Sequence, residues 1–193
     1  MKNVFLKIPG WFDFDNLYAE VVDDAQDEDI FIEVGCWLGR STAYMLERII
    51  DSRKKIKFYA VDTWEGSNEV EHQQYITDIG GKDILYYQFL TNMAEIEDDN
   101  SVLIPVRKPS VLAAKNFLDK SVTFCFIDAG HSYEEVYADI TAWLPKIKPG
   151  GIIAGHDYNE GNPAAQGLCK AVKEIFGTSF RKSRNSWIKE VTI

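Results

Sequence analysis

Two acid–histidine pairs stand where successive apolar runs of the chain end. Asp128 and His131 follow one run, and His156 and Asp157 follow the next. If these runs are neighbouring parallel strands, their carboxyl ends meet at one edge of a sheet, about 5 Å apart. Carboxylates and imidazoles that converge there suit a divalent cation such as Mg²⁺ or Mn²⁺. A histidine beside them can also accept a proton near neutral pH.

Two members of these pairs have a second interpretation. Asp128 can orient an acceptor or the amino group of a cofactor without any metal, and His156 can simply hydrogen-bond a backbone carbonyl. Metal dependence is therefore left open by the residues alone.

A glycine turn precedes the two pairs in the chain. Residues 31–42 read FIEVGCWLGRST, which predicts a strand, a tight turn and the start of a helix. Gly35 and Gly39 allow the turn and a close approach of backbone to a ligand. Ser41 can cap the helix, whose N-terminus favours a carboxylate. The GxxxG spacing differs from the GxGxxG of dinucleotide sites and therefore favours a ligand without a pyrophosphate.

An acidic residue ends the next apolar run. Asp62, in YAVDTW, follows the turn at about the twenty-residue spacing at which an acid accepts ribose hydroxyls. Taken alone, Asp62 is equally well explained as a helix cap. With the glycine turn upstream, it predicts an adenosine-containing cofactor, and Trp64 is interpreted as lying against the adenine or covering the site.

The elements that must position these residues alternate along the chain. Apolar runs separated by segments of helical spacing predict an α/β fold, a parallel sheet with helices on both faces. The predicted strands are 30–34, 57–61, 102–106, 122–127 and 151–154, and the predicted helices are 41–51, 111–118, 133–144 and 165–176. Two final runs, 178–181 and 186–192, predict an antiparallel pair at the sheet edge.

One domain over residues 1–193 is expected, with residues 65–100 as its least regular part. That segment is long for a plain connection, so it predicts either a lid over the substrate or an ordinary amphipathic helix with a surface loop. Residues 11–18 are rich in aromatics and predict either a homodimer interface or packing on the sheet. Trp11, Tyr75, Tyr86 and Tyr87 are candidate walls of an acceptor pocket and equally candidates for the core.

Composition limits the class of protein. The chain has 193 residues, of which 46% are hydrophobic, enough for one continuous core. A net charge of −9 fits poorly with nucleic acid or an anionic membrane surface. The three cysteines lack metal-ligand spacing, and neither a signal peptide nor a membrane span is predicted. A cytoplasmic protein with a small-molecule partner is the expectation.

Four segments together resemble a known family. FIEVGCWLGRST, YAVDTWEGS, FIDAGHSYEEV and PGGIIAGHDY, in this order, are similar to the class I S-adenosylmethionine methyltransferases. More narrowly, they resemble a bacterial family that carries an IDG/A-x-H-x-Y segment and a GHDY segment. The resemblance covers roughly residues 30–176. It implies a Rossmann-like sheet of seven strands, mainly parallel with the last strand antiparallel.

The resemblance also implies roles for individual residues. Glu33, Gly35 and Gly39 match the motif under the methionine part of the cofactor, and Ser41 matches a contact to its carboxylate. Family members often have a polar or acidic residue beside the adenine, and Ser110 is the best candidate there. Asp62 as the ribose ligand and Trp64 near the adenine are added to this set. The predicted cofactor-binding residues are Glu33, Gly35, Gly39, Ser41, Asp62, Trp64, Ser110 and Asp128.

The catechol-type O-methyltransferases offer a more distant similarity. They bind a metal through an aspartate after the fourth strand and an Asp-Asn pair after the fifth, and they place a lysine three residues beyond the first aspartate. Asp128 matches the first ligand, His156 and Asp157 occupy the pair, and His131 stands at the lysine position. This similarity implies a metal site of Asp128, His156 and Asp157, with His131 and Asp128 as catalytic residues.

The predicted function is O-methylation of a small hydroxylated molecule, such as a sugar or a biosynthetic intermediate, with S-adenosylmethionine as donor. Two alternatives are a nucleotide-binding oxidoreductase on a related fold and a non-catalytic module that retains the cofactor pocket.

Overall fold

A computed structural model describes residues 2–67, 70–96 and 103–192. Within these residues the chain forms one sheet of seven strands in the order β3-β2-β1-β4-β5-β7-β6. The strands are β1 (Ile30–Val34), β2 (Lys57–Asp62), β3 (Leu103–Arg107), β4 (Val122–Ile127), β5 (Ile147–Gly155), β6 (Arg181–Ser183) and β7 (Ser186–Glu190). Strands β1 to β5 are parallel, and β7 is antiparallel to both β5 and β6. The predicted α/β methyltransferase-like sheet is confirmed.

The helices surround this sheet. They are α1 (Asp15–Asp24), α2 (Arg40–Ser52), α3 (Val70–Asp78), α4 (Lys82–Ala94), α5 (Ser110–Ala114), α6 (Tyr133–Trp143) and α7 (Gln166–Phe176). Helix α5 is shorter than its predicted range of 111–118, and the first strand of the edge pair starts at Arg181 rather than at 178. Val102, the predicted first residue of β3, lies outside the described residues.

The sheet is buried on both faces, because successive side chains of a strand point to opposite sides. In β1, Phe31 belongs to one hydrophobic cluster, while Ile32 and Val34 belong to the other. In β4, Phe124 and Cys125 divide in the same way. The near-continuous apolar character of these strands follows from this two-sided burial.

The N-terminal residues form structure that the sequence patterns did not predict. Helix α1 packs against α2, and its Tyr18 lies edge-on to Phe126 of β4. Phe14 stacks on the same ring at a centroid distance of 4.3 Å. Phe14 and Tyr18 therefore pack on the sheet, which is one of the two interpretations of residues 11–18. The homodimer interface stays a prediction.

The segment 65–100 contains two helices in its described part. Helix α4 packs into the core through Leu85, Phe89 and Met93. His72 of α3 lines a cavity at the carboxyl ends of the central strands. Residues 68–69 and 97–100 lie outside the described residues, and a lid role for this segment stays a prediction. In the described part of the chain, no helix has the length and apolar character needed to span a membrane.

The chain order reverses between β1 and β4, which are neighbours in the sheet. In open α/β sheets, ligands bind at the carboxyl ends of the strands at such a reversal. The fold thus brings the glycine turn after β1 next to the first acid–histidine pair after β4.

Candidate functional site

A cavity of about 1010 Å³ opens at the carboxyl ends of β1 and β4. The predicted site residues that line it are Gly35, Ser41, Asp62, Ser110, Asp128, His131, His156 and Asp157. The other three predicted residues, Glu33, Gly39 and Trp64, do not line it.

Asp62 holds the glycine turn in shape. Its Oδ2 accepts hydrogen bonds from the backbone N–H groups of Cys36 at 2.7 Å and Trp37 at 3.0 Å. Its Oδ1 accepts one from the N–H of Trp64 at 2.7 Å. A carboxylate has about four acceptor positions, so roughly one remains for a ligand such as a ribose hydroxyl.

The two glycines of the turn are needed for packing as well as for backbone freedom. Gly35 has φ +87°, and a Cβ there would overlap the carbonyl of Asp128 and lie 2.9 Å from Ala129 Cα. Gly39 has φ +90°, and a Cβ there would lie 2.6 Å from Met93 Cε. The side on which a Cβ would lie is filled by α4, and a close approach of a ligand to Gly39 stays a prediction.

Glu33 lies beneath the turn rather than in the cavity. It is buried, and its carboxyl group accepts hydrogen bonds from Tyr18 Oη at 2.8 Å and from Thr42 Oγ1. Burial raises its pKa to about 7, although the bonds from Thr42, Ser41 and Tyr18 oppose this shift. Glu33 therefore links β1 to α1 and α2 and supports the turn from below.

The prediction that Trp64 covers the adenine does not match the structure. The side chain is fully buried, and its Nε1 donates to the carbonyl of Trp37 at 3.0 Å. Its ring packs against Tyr86 and Phe89 at 4.7 Å. Because its backbone has φ 52°, the side chain turns away from the cleft and into the core.

Ser110 has an acidic neighbour that the motif comparison missed. Asp139 of α6 is buried, lines the cavity and is hydrogen-bonded with Ser110, which also accepts from Trp143 Nε1 at 2.9 Å. Burial raises the pKa of Asp139 to about 6, against the lowering effect of the Ser110 hydrogen bond. The available signal in the sequence was an acid on the helix that follows the first acid–histidine pair.

The two acid–histidine pairs meet at the rim, as their strand positions predict. Donor atoms of Asp128, His131 and Asp157 all lie within 4.8 Å of one another. His131 Nε2 lies 3.0 Å from Asp157 Oδ2. The predicted metal set contained His156 and not His131, and the structure brings both histidines to the two carboxylates.

His156 is buried and has carboxylates on both sides. Its Nε2 lies 2.7 Å from Asp13 Oδ1, and its Nδ1 lies 3.2 Å from Asp157 Oδ1 and 3.8 Å from Asp128 Oδ1. Asp13 comes from the N-terminal segment, and no sequence motif pointed to it. The imidazole therefore links three acids at the rim.

The charges at the rim shift one another's protonation. Burial raises the pKa of Asp128 to about 6, against the lowering effect of His156. Burial lowers the pKa of His156, but the bond to Asp157 and the charge of Asp128 outweigh it and raise the value to about 9. Burial opposes the ionisation of Asp157, yet hydrogen bonds from His131 and His156 hold its pKa well below the usual range.

Of the four aromatic residues proposed as pocket walls, Trp11 is the one that lines the cavity. Tyr75 packs against Trp37, and Tyr86 packs against Trp64. Tyr87 is exposed on α4 and does not line the cavity.

A family model described as a methyltransferase domain matches residues 32–158, about two thirds of the chain. The chain belongs to this family. It is a class I S-adenosylmethionine-dependent methyltransferase, and this assignment replaces the oxidoreductase and the non-catalytic module. The match runs from β1 to the residue after Asp157 and so includes both the glycine turn and the rim.

Solved structures share the fold of this methyltransferase at low identity. The O-methyltransferase NovP superposes with a TM-score of 0.60 at 15% identity, over 93% of this chain and 79% of that one. CalS11, a TDP-rhamnose 3'-O-methyltransferase of calicheamicin biosynthesis, gives 0.53 at 17%, over 92% and 76%. An rRNA methylase from Streptococcus thermophilus gives 0.57 at 15%, over 93% and 94%. The fold thus accommodates different acceptors and does not select one.

A curated relative is the uncharacterized protein y4gI of Sinorhizobium fredii. It is 27% identical over 126 residues, which are 65% of this chain. The methyltransferase spans 13% of the length of that relative.

Proposed function

We propose that this methyltransferase transfers a methyl group to an oxygen of a small hydroxylated molecule, with a divalent cation bound at the rim. The observation that carries the proposal is the convergence of Asp128, His131 and Asp157 inside the cavity, with donor atoms within 4.8 Å of one another. O-methyltransferases are among the proteins that share this fold.

The donor set suits a divalent cation. Two carboxylates and one imidazole are ligands that Mg²⁺ and Mn²⁺ accept, and all three side chains are half-buried. Such an ion would lower the pKa of an acceptor hydroxyl and orient it. Asp128 and Asp157 would hold it, and His131 beside them would serve proton transfer rather than ligation.

Proton removal falls to His131 in this proposal. Its Nε2 lies 3.0 Å from Asp157, a carboxylate whose lowered pKa keeps it ionised and able to orient the imidazole. The ring is partly exposed in the cavity, so an acceptor hydroxyl can reach it. An imidazole has a pKa near working pH and can take this proton as the oxygen is methylated.

The remaining residues bind the donor, whose sulfonium supplies an activated methyl group. Ser41 at the start of α2 lies where a helix N-terminus favours the methionine carboxylate. Asp62 has one acceptor position left for the ribose, and Ser110 and Asp139 can accept from the adenine amino group. Holding the donor and acceptor in line is the main contribution of the protein to the rate.

The test is S-adenosylhomocysteine formation with phenol and sugar acceptors, before and after EDTA treatment and with Mg²⁺ or Mn²⁺ restored. We expect EDTA to abolish turnover, and Asp157→Asn and His131→Gln each to lower kcat by about 100-fold. Asp119→Asn is the matched control, since Asp119 is an exposed acid paired with Lys146 away from the cavity.

Calorimetry tests the donor site separately. We expect Asp62→Ala to weaken S-adenosylmethionine binding at least about tenfold and Asp157→Asn to leave it within about twofold. Turnover that is unchanged by EDTA would contradict the metal, and a protein that does not bind the donor would contradict the whole assignment.

A further inference from the structure

Residues 9–13 line the cavity, within an N-terminal segment, residues 8–14, that stands outside the part of the chain that the family model matches. Polar contacts hold this segment in place at Gly10 and at Asp13. Arg40 Nη1 donates to the carbonyl of Gly10 at 2.9 Å. Asp13 Oδ1 lies 2.7 Å from His156 Nε2, and Asp13 Oδ2 accepts from Asn185 Nδ2 at 3.1 Å.

Ring packing fixes the same segment from below. Phe12 lies edge-on to Phe14 at a centroid distance of 4.8 Å, and Phe14 lies 4.3 Å from Phe126 of β4. The backbone on both sides of Trp11 is therefore held in place by hydrogen bonds and by the core.

Trp11 projects from this fixed backbone into the mouth of the cavity. It lines the cavity and is 67% exposed, although an indole is a large apolar surface. Its ring lies 5.9 Å from the ring of His72, which stacks on Trp37 at 4.2 Å. The three rings form an aromatic wall of the cavity.

The charged residues that line the cavity limit which acceptors can bind against this aromatic wall. Among the described residues that line it, two are Lys or Arg, namely Lys108 and Arg40, and Arg40 already donates to Gly10. Seven lining residues are acidic: Asp13, Asp62, Asp128, Glu134, Glu135, Asp139 and Asp157. A protonated His156 and a bound divalent cation would bring the positive charges to five against seven negative ones, so the lining still disfavours an anionic acceptor.

We propose that Trp11 determines acceptor specificity and that the acceptor is an uncharged ring compound whose face packs against its indole. This inference rests on the proposed function, because it concerns the acceptor of the same methyl transfer. Packing on an exposed, pre-positioned indole binds a ring without a large loss of side-chain freedom. Both an aromatic ring and a sugar ring present such a face.

The experiment uses two matched pairs of probes and three variants. Catechol is compared with 3,4-dihydroxybenzoate, and methyl glucoside with methyl glucuronide, because each pair differs by one carboxylate. Trp11→Leu keeps apolar bulk without the ring, and Trp11→Phe keeps a ring. Tyr87→Leu removes another exposed aromatic residue, one that does not line the cavity.

We expect the neutral member of at least one pair to be methylated with a kcat/KM about tenfold or more above that of its anionic partner. Trp11→Leu should raise the KM of that neutral probe about tenfold with kcat nearly unchanged. Trp11→Phe should restore most of the affinity, and Tyr87→Leu should have no effect. S-adenosylhomocysteine affinity, measured by calorimetry, should be equal in all four proteins.

The outcomes separate this inference from the proposed function. The inference is wrong if a probe is methylated and its kcat/KM changes neither with Trp11→Leu nor between the neutral and anionic members of its pair. The proposed function still stands in that case. A Trp11→Leu protein that loses kcat and donor affinity together also overturns it, because the residue then supports the fold. No transfer to any of the four probes overturns both.

Discussion

Glu33 is a buried acid whose protonation state affects the stability of the folded protein. Its pKa is raised to about 7, chiefly by burial, from a usual value of 4.5. Below pH 4.5 the group is protonated in both the folded and the unfolded chain. Between those values the folded protein keeps a proton that the unfolded chain has released, so rising pH favours unfolding.

Glu33→Gln should remove this pH dependence. We expect the variant to gain stability relative to the native protein as pH rises from 4.5 to 7, by about 3 kcal/mol in total. Urea unfolding of both proteins at several pH values measures the difference, and taking the difference cancels the other titrating groups. A constant difference across this range would contradict the raised pKa.

At the scale of elements, the β1 turn and the end of β4 fit together only because Gly35 lacks a side chain. Its φ of +87° is one that other residues rarely adopt, and the backbone of Asp128 and Ala129 lies against it. The same contact sets where the first acid of the rim stands relative to the turn. The glycine turn and the acid–histidine rim are therefore one packed unit.

Gly35→Ala should be much more harmful than Gly150→Ala. Gly150 has a similar φ of +78°, but an added Cβ there meets nothing within 4 Å. We expect Gly150→Ala to cost about 1 to 2 kcal/mol from backbone strain alone. Gly35→Ala should cost roughly 2 kcal/mol more because of the overlap with β4. Equal losses in chemical denaturation would show that the turn can move away from β4.

At the scale of the whole molecule, Asp13 connects three distant parts of the chain. Its side chain joins the N-terminal segment to His156 at the end of β5 and to Asn185 in the turn between β6 and β7. Arg184 of the same turn donates to the backbone carbonyl of Asp13 and to the side chain of Asp15. The N-terminal segment, residues 8–14, is thus attached to the antiparallel edge of the sheet.

Asp13→Ala should loosen residues 8–14 without unfolding the domain. Removing a carboxylate that is paired with a buried imidazole costs about 1.5 to 3 kcal/mol, so amide hydrogen exchange in this segment should become at least about tenfold faster. Exchange in β4 should stay unchanged. Asp23→Ala is the control, because its ion pair with Arg48 is on the surface. Equal exchange in both variants would mean that ring packing alone holds the segment.

The sequence by itself determined the sheet and the edge at which the site lies. Two-sided burial leaves apolar runs that can be read directly, and parallel strands necessarily bring Asp62, Asp128 and Asp157 to the same edge. The antiparallel edge pair was predicted from two short runs near the C-terminus, and its first strand is displaced by a few residues.

Only the tertiary structure decided which side chains face the cavity. Trp64 turns into the core because of the left-handed backbone after Asp62, and Gly39 makes room for α4. His131 joins His156 beside the two carboxylates, while Asp13 contacts the other nitrogen of His156. Trp11 reaches the cavity because a distant segment folds back over it. Such contacts depend on side-chain direction and long-range packing, which residue spacing does not encode.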